Sequence, residues 1–176
     1  TELTNLSVFP VFPELSLTGY LLQDQVPEIA MTQKAAAFRK IQRLSADVDL
    51  IVGFVEEAVG HRFYNATAYL SRGRIVHVHR KVYLPTYGMF EEGRDFAAGD
   101  LIRSFATRHG RGGMLICEDA WFEEPAQAAC AAGAQVLCVI NASPFHLDKA
   151  DEREARMAER ARAVGRPLLY AHLVGG

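Results

Sequence analysis

The sequence lacks the features that mark several specialised classes of protein. Its three cysteines, Cys117, Cys130 and Cys138, form no Cys-x-x-Cys pair, and their odd number argues against a disulfide framework or a four-cysteine zinc site. A formal net charge of −2 gives no electrostatic reason to bind nucleic acid or an anionic membrane. No apolar run approaches the roughly 18 residues of a membrane span. The opening residues, TELT, lack the basic start of a secretion signal. These absences predict a cytoplasmic protein with no nucleic-acid or membrane partner.

The length and the apolar pattern predict one layered α/β domain. With 176 residues, of which 49% are hydrophobic, residues 1–176 are long enough for one sizeable core and too short for two. Apolar runs predict strands over residues 49–55, 62–71, 74–80, 101–107, 113–116, 135–140 and 168–174. Helical patterns cover residues 27–46, 122–132 and 148–164. Hairpins mixed with βα units are typical of layered α/β proteins.

Local signals refine some of these elements. Gly73 favours a tight turn between the second and third strands. Asp148 is expected to cap the last helix with its side chain, and Arg160 and Arg162 suit its last turn. The charges of that helix, including the Glu152–Arg156 pair, are interpreted as mainly a solvated face. His77 and His79 alternate onto one face of a hairpin strand, where exposure is a better interpretation than metal binding because no third ligand is nearby. We therefore expect no metal and no cofactor.

Three reactive side chains are predicted to lie at three strand ends. Glu14 follows the apolar run of residues 8–12 and the breaker Pro13. Lys81 follows the third predicted strand, and Cys117 follows the apolar residues 114–116. In layered α/β folds, sites are assembled at such ends. The pattern therefore predicts a shared site.

A carboxylate, an ammonium and a thiol in one place form an activated nucleophile. The ammonium favours the thiolate, and the carboxylate can accept the thiol proton. Cys117 would then attack a carbonyl carbon, with Lys81 and the backbone N–H of Glu118 holding the oxyanion. The residues alone leave simpler interpretations open: Glu14 as the cap of a turn, Lys81 as the partner of a surface carboxylate, and Cys117 as a small buried hydrophobe.

Three segments resemble the signature motifs of the nitrilase superfamily of carbon–nitrogen hydrolases. They are residues 12–20 (FPELSLTGY), 80–85 (RKVYLP) and 115–121 (LICEDAW), in the order of the family. The resemblance implies a four-layer αββα sandwich and amide or nitrile substrates. It also implies a Glu-Lys-Cys triad, to which Glu14, Lys81 and Cys117 correspond.

Further segments extend the resemblance to substrate-binding residues. Residues 86–94 (TYGMFEEGR) place Glu92 where many members keep a second glutamate that positions the substrate or the lysine. Residues 117–121 and 141–146 (NASPFH) resemble the glutaminase domain of glutamine-dependent NAD synthetases, which implies glutamine-binding roles for Tyr87 and Ser143. Trp121 follows the nucleophile turn and is interpreted as a packing residue or, alternatively, as a wall of the substrate pocket.

The resemblance also indicates which segments of the family are not expected in this sequence. Counterparts of the opening strand and helix of the family, and of its closing strands, are not expected. No glycine-rich pyrophosphate loop follows, so any ammonia would go to a separate synthetase partner. A homo-oligomer is expected, as in the family.

Three functional hypotheses follow from these observations. The first is a thiol amidase acting on glutamine or a similar ω-amide. The second is a stand-alone hydrolase of N-carbamoyl amines or aliphatic amides. The third is a non-catalytic assembly module that retains the motifs.

Overall fold

Two β-sheets form the centre of the protein. The computed structural model describes residues 9–88, 91–144 and 147–174. The first sheet is antiparallel, with the strand order β1 (Leu50–Ala58), β2 (Arg62–Ser71) and β3 (Arg74–Arg80). The second sheet has the order β4 (Ser104–Thr107), β5 (Gly110–Ile116), β6 (Val136–Asn141) and β7 (Leu168–His172). Strands β5, β6 and β7 are parallel, and β4 pairs with β5 in the antiparallel sense.

Helices cover the outer faces of the sheets and connect the strands. They are α1 (Val26–Ile29), α2 (Ala36–Leu44), α3 (Glu92–Asp95), α4 (Glu123–Ala131) and α5 (Lys149–Val164), with 3₁₀ helices at Gln23–Gln25 and Cys117–Trp121. Within the described ranges, every helix is too short or too polar to cross a bilayer.

Three hydrophobic clusters separate four layers. On the outer face of the first sheet, Phe38 of α2 packs edge-on against Phe54, with ring centroids 4.5 Å apart. On the outer face of the second sheet, Met157 of α5 packs in a cluster with Leu115, Leu137 and other residues. A third cluster, which includes Ile51, Tyr69, Met114, Ile116 and Ile140, fills the space between the sheets. The alternation of side chains along the strands thus produces an αββα sandwich, as the sequence predicted.

Two of the three hairpins in the described residues have two-residue turns. Between β2 and β3, Arg72 and Gly73 both have positive φ angles, 52° and 71°, which is the two-residue geometry that matches strand twist. The β4–β5 turn consists of Arg108 and His109, so β5 begins at Gly110 rather than at residue 113. The predicted loop there was too long.

The predicted helix over residues 27–46 is wrong in its middle. The backbone becomes extended at Ala30, where ψ is 138°, and Met31 forms a parallel β-bridge with Glu56. The Met31 N–H donates to the Val55 carbonyl, and the Glu57 N–H donates to the Met31 carbonyl. These bonds to β1 outweigh the local helical preference and divide the segment into α1 and α2.

The last helix corrects one further expectation. Asp148 has a left-handed backbone, with φ of 67°, and its side chain makes no cap hydrogen bond, since side-chain capping requires an extended residue. Arg160 is an exception among the mainly solvated charges of this helix: it is buried, and its guanidinium donates to the carbonyls of Ala120 and Trp121. It therefore holds the end of the 3₁₀ helix that begins at Cys117. The helix ends at left-handed Gly165 as predicted.

Candidate active site

The described site lies between the two sheets, where strands from both of them end. Glu14 occupies a turn beside β1, Lys81 directly follows β3, and Cys117 directly follows β5. All three side chains are buried. The structure therefore brings together the three residues that the sequence singled out.

Gly53 allows the turn that carries Glu14 to lie directly on β1. The Gly53 N–H donates to Ser16 Oγ at 3.1 Å, and the Leu17 N–H donates to the Gly53 carbonyl at 3.0 Å. A Cβ atom at position 53 would lie 2.4 Å from Leu15 N and 2.8 Å from Pro13 O. Both of those atoms are backbone, so any residue larger than glycine would push the turn away from the strand.

The Glu14 carboxylate is held by three donors. Its Oε1 accepts from Lys81 Nζ at 2.8 Å and from Asn65 Nδ2 at 2.8 Å. Its Oε2 accepts from the Ala142 N–H, just beyond β6, at 2.9 Å. Because these donors come from both sheets, the carboxylate is fixed in position and orientation.

Lys81 is fully buried between two carboxylates. Its Nζ donates to Glu14 Oε1 at 2.8 Å and to Glu92 Oε1 at 2.9 Å. Burial would by itself lower the pKa of the ammonium, but the charges of Glu14, Cys117 and Glu92 raise that pKa well above its ordinary value. The ammonium is therefore present throughout the physiological pH range.

Cys117 begins the 3₁₀ helix with a strained backbone. Its φ of 46° is in the left-handed region, which a non-glycine residue enters at a cost. Burial and then the Glu14 carboxylate raise the pKa of its thiol well above the ordinary value, while the Lys81 ammonium opposes the rise. The ammonium alone therefore does not make a resting thiolate, and the thiol proton needs an acceptor when the sulfur reacts.

Glu92, at the start of α3, is a second buried carboxylate beside the ammonium. Besides Lys81, its Oε1 accepts from Tyr20 Oη at 2.7 Å, while its Oε2 is buried without a hydrogen-bond partner among the described residues. Burial raises the pKa of Glu92, an effect that Lys81 opposes. Tyr20 comes from the first signature segment, a contact that the sequence did not indicate.

Tyr87 and Glu118 form a polar pair next to the thiol. The Tyr87 hydroxyl donates to the Glu118 carboxylate, with distances of 2.9 and 3.0 Å to its two oxygens. Burial and this bond raise the pKa of Tyr87 to about 12, with a smaller contribution from Cys117. Both residues are thus within electrostatic reach of the Cys117 thiol.

Ser143 and Trp121 lie on the side of the site that faces α5. Ser143 Oγ accepts from Arg153 Nη1 at 3.0 Å. Ser143 directly follows Ala142, whose N–H donates to Glu14. The Trp121 ring lies beneath Lys149 Nζ, 4.3 Å from the ring centroid. The roles of Ser143 and Trp121 in binding substrate stay predictions.

Sequence reasoning missed several polar residues that support these groups. Asn65 and Asp119 are fully buried, in β2 and in the 3₁₀ helix. His79 is 2% exposed and lies 2.9 Å from the Asp119 carboxylate, so the exposed position expected for it was wrong. The face of β3 that carries His77 and His79 packs toward the second sheet, where His77 stacks on Phe105. The alternation of polar residues in β3 was the available signal, but it does not say which face is inside.

The described part of the chain offers no cluster of three or more His, Cys, Asp or Glu side chains suited to a metal ion. The other two cysteines have different surroundings: Cys138 is buried in the cluster between the sheets, and Cys130 packs against the outer core as a half-buried residue. Of the three, Cys117 is the cysteine whose pKa the Glu14 carboxylate and the Lys81 ammonium affect.

Comparison with known proteins defines the class to which this fold and site belong. The model of the carbon-nitrogen hydrolase family matches residues 7–176, so the chain belongs to this family. It is therefore an enzyme that acts on carbon–nitrogen bonds, and the nitrilase-type resemblance is confirmed.

Within the family, the relatives that this chain resembles include glutamine-dependent NAD(+) synthetases. The chain is 37% identical over 171 residues to the glutamine-dependent NAD(+) synthetase of Xanthomonas campestris, covering 94% of this chain and 30% of that protein. It is also 37% identical to the synthetase of Rhodobacter capsulatus, over 93% of this chain and 30% of that one. The chain thus spans about a third of the length of the relatives it matches.

Solved structures show the same fold. The glutamine-dependent NAD+ synthetase of Acinetobacter baumannii superposes with a TM-score of 0.83 at 29% identity, covering 94% of this chain and 32% of that one. An amidase from a Nesterenkonia species gives a TM-score of 0.80 at 24% identity, covering 94% and 63%. The second likeness concerns the fold alone.

Proposed function

We propose that this chain is a thiol amidase that hydrolyses the side-chain amide of glutamine through a thioester on Cys117 and releases ammonia. The observation that carries the proposal is the buried Lys81 ammonium, held between two carboxylates within electrostatic reach of the Cys117 thiol. Removing a cation from water is costly, and such groups are retained where they stabilise charge that develops in a reaction.

Acylation begins when Cys117 Sγ attacks the amide carbon as its proton passes to the Glu14 carboxylate. The raised pKa of the thiol makes this transfer necessary during the attack. The carbonyl electron pair moves to oxygen, where Lys81 and the backbone N–H of Glu118 stabilise the negative charge. Glu14 then returns the proton to the amide nitrogen, and the carbon–nitrogen bond breaks to give ammonia and the thioester.

Deacylation uses the same groups, and Glu14 again acts first as a base and then as an acid. Glu14 takes a proton from a water molecule, whose oxygen attacks the thioester carbon. The second oxyanion is stabilised as the first was, and it collapses as the carbon–sulfur bond breaks. The thiolate regains the proton from Glu14, and the acid product leaves. Glu92 keeps the ammonium in place through both steps.

Charges of both signs near the thiol support an α-amino acid substrate. The Glu118 carboxylate, joined to Tyr87, can accept hydrogen bonds from an α-ammonium group. On the α5 side, the Arg153 guanidinium, joined to Ser143, can bind an α-carboxylate. The synthetase relatives are named as glutamine-dependent, which agrees with this choice.

A substrate panel tests the proposal. The purified protein is assayed for ammonia release from glutamine, an N-carbamoyl amine and a short aliphatic amide, with the Cys117→Ala variant as the control. Glutamine should be the preferred substrate. Preference for the carbamoyl compound or the short amide would favour the stand-alone hydrolase, and no ammonia from any of them would contradict the proposal.

The ammonia is proposed to serve a synthetase unit outside residues 1–176, with these residues acting as a single carbon–nitrogen hydrolase domain. The relatives are about three times as long as the matched region, which supports a second unit. The protein is also proposed to work as a homo-oligomer.

A further inference from the structure

The Asp119 carboxylate is the meeting point of four hydrogen-bonding groups. Its Oδ1 accepts from the backbone N–H groups of Val82 and Tyr83, both at 2.9 Å. Its Oδ2 accepts from the Ile116 N–H at 3.1 Å and lies 2.9 Å from His79 Nε2. The Asp119 side chain is fully buried, so these partners replace its entire hydration.

The four partners belong to the two strand ends that carry the reacting groups. His79, Val82 and Tyr83 surround Lys81 in the chain, at the end of β3 in the first sheet. Ile116 directly precedes the nucleophile, at the end of β5 in the second sheet. One buried side chain thus ties the segment of the ammonium to the segment of the thiol.

We propose that Asp119, oriented by His79, is a positioning residue that sets the distance between the Lys81 ammonium and the Cys117 thiol. The inference rests on the proposed function, because it assigns those two groups to catalysis. Asp119 itself acts through the backbone of both segments and does not touch the substrate. Bonds from N–H groups to a buried carboxylate are short and strong, so they suit this purpose.

Asp119→Asn tests the proposal with almost no change of shape. An amide NH₂ replaces one oxygen and then faces a backbone N–H, because each oxygen of Asp119 accepts from at least one backbone donor. The two strand ends must separate to relieve this clash. A displacement of about 1 Å in an active site can cost about 10²-fold in rate, so we expect kcat to fall by that order with KM nearly unchanged.

Alkylation of Cys117 by iodoacetamide gives a readout that needs no substrate. If Lys81 moves away, the thiol loses the cation that lowers its pKa, and the alkylation profile of Asp119→Asn shifts to higher pH. Removing the Asp119 charge without movement would shift the profile to lower pH. The direction of the shift therefore separates positioning from a simple charge effect.

Asp49→Asn is the matched control. Asp49 is also a buried aspartate, which accepts from Ser71 Oγ at 2.6 Å and pairs with Arg108 at 2.9 Å. Its partner Ser71 is the last residue of β2, whereas Asn65, which contacts Glu14, lies near the beginning of that strand. Asp49 is therefore away from the site. The Asp49→Asn variant should lose stability but keep the alkylation profile and the kcat of the parent protein.

Two variants of His79 complete the test and remain available if Asp119→Asn does not fold. His79→Leu removes the side-chain partner of Asp119 and should shift the alkylation of Cys117 to higher pH. His79→Gln can place an amide nitrogen near the position of Nε2 and should restore most of the parent profile.

Unchanged or lower-pH alkylation in Asp119→Asn, or in His79→Leu if Asp119→Asn is unfolded, would overturn the inference. So would an equal shift in Asp49→Asn. If the parent protein releases no ammonia, the proposed function fails, while the alkylation profiles still decide whether Asp119 positions the two groups.

Discussion

Replacing Lys81 with methionine separates electrostatic catalysis from structural pairing. Methionine fills a similar volume but carries no charge and no donor. In the variant, Glu14 keeps its hydrogen bonds from Asn65 and from the Ala142 N–H. Glu92 Oε1 loses one of its two donors, Lys81, and keeps the other, the Tyr20 hydroxyl. The catalytic and the structural consequences can therefore be worked out separately.

The catalytic loss follows from the role of the ammonium. If Lys81 stabilises the oxyanion, Lys81→Met should reduce the acylation rate by at least about 10² to 10³, the cost of one oxyanion donor. Lys81→Arg should fail almost as badly. A planar guanidinium cannot occupy the fully buried position between Glu14 and Glu92 that a compact ammonium fills.

The loss of stability should depend on pH. Breaking a buried ion pair from one side costs about 3–5 kcal/mol when the remaining charge has no partner. Burial already raises the pKa of Glu92 above 4.5, and loss of Lys81 removes a cation that lowers it. A carboxyl group whose pKa is higher in the folded state favours folding at low pH and loses that contribution as pH rises through the folded-state pKa. The free energy of unfolding of Lys81→Met should therefore approach that of the parent protein near pH 5 and fall below it near pH 8.

Rapid-quench acylation, iodoacetamide alkylation and urea unfolding at pH 5 and pH 8 measure these three effects. The alkylation of Cys117 should shift to higher pH in Lys81→Met, because the ammonium lowers the pKa of the thiol. Near-normal acylation together with an unchanged alkylation profile would refute the catalytic assignment. Lys81 would then be a structural ion-pair residue.

Three further predictions concern other residues and the assembly. Cys117→Ala should abolish ammonia release with the fold intact by circular dichroism, and mass spectrometry of the parent protein should find the acyl adduct on Cys117, not on Cys130 or Cys138. Gly53→Ala should displace the Glu14 turn, lowering kcat and costing about 1–3 kcal/mol in urea unfolding; parent-like values would contradict the close approach of backbone atoms seen at this position. Light scattering at micromolar concentration should give the mass of a homo-oligomer, and a monomeric mass would count against it.

The sequence predicted the layers and the three reactive residues because both depend on local signals. Apolar runs with period two define strands, and reactive side chains directly after such runs must lie at strand ends. Lys81 and Cys117 follow this rule. The strand predicted before Glu14 is wrong for the described residues, because only Val11 forms a β-bridge there, with Ile51 of β1, and Glu14 lies in the turn that follows. The signature segments then raised the three positions above their simpler interpretations.

The supporting residues could not be predicted because their roles depend on long-range packing. Asn65 lies within β2 and looks like an ordinary polar strand residue until the second sheet covers its face. The contact between Tyr20 and Glu92 joins positions 72 residues apart. Met31 interrupts a helical pattern because two backbone bonds to β1 become available only in the folded protein.

The two sheets contribute different groups to the proposed chemistry. Strands β1 to β3 and their flanking turns supply the proposed base and cation, whereas β5 and β6 supply the proposed nucleophile and the N–H that holds the base. Neither sheet by itself carries all the groups of the proposed proton transfer. If these groups act as proposed, turnover depends directly on how closely the two sheets are docked, and a perturbation that loosens their interface should abolish turnover before secondary structure is lost.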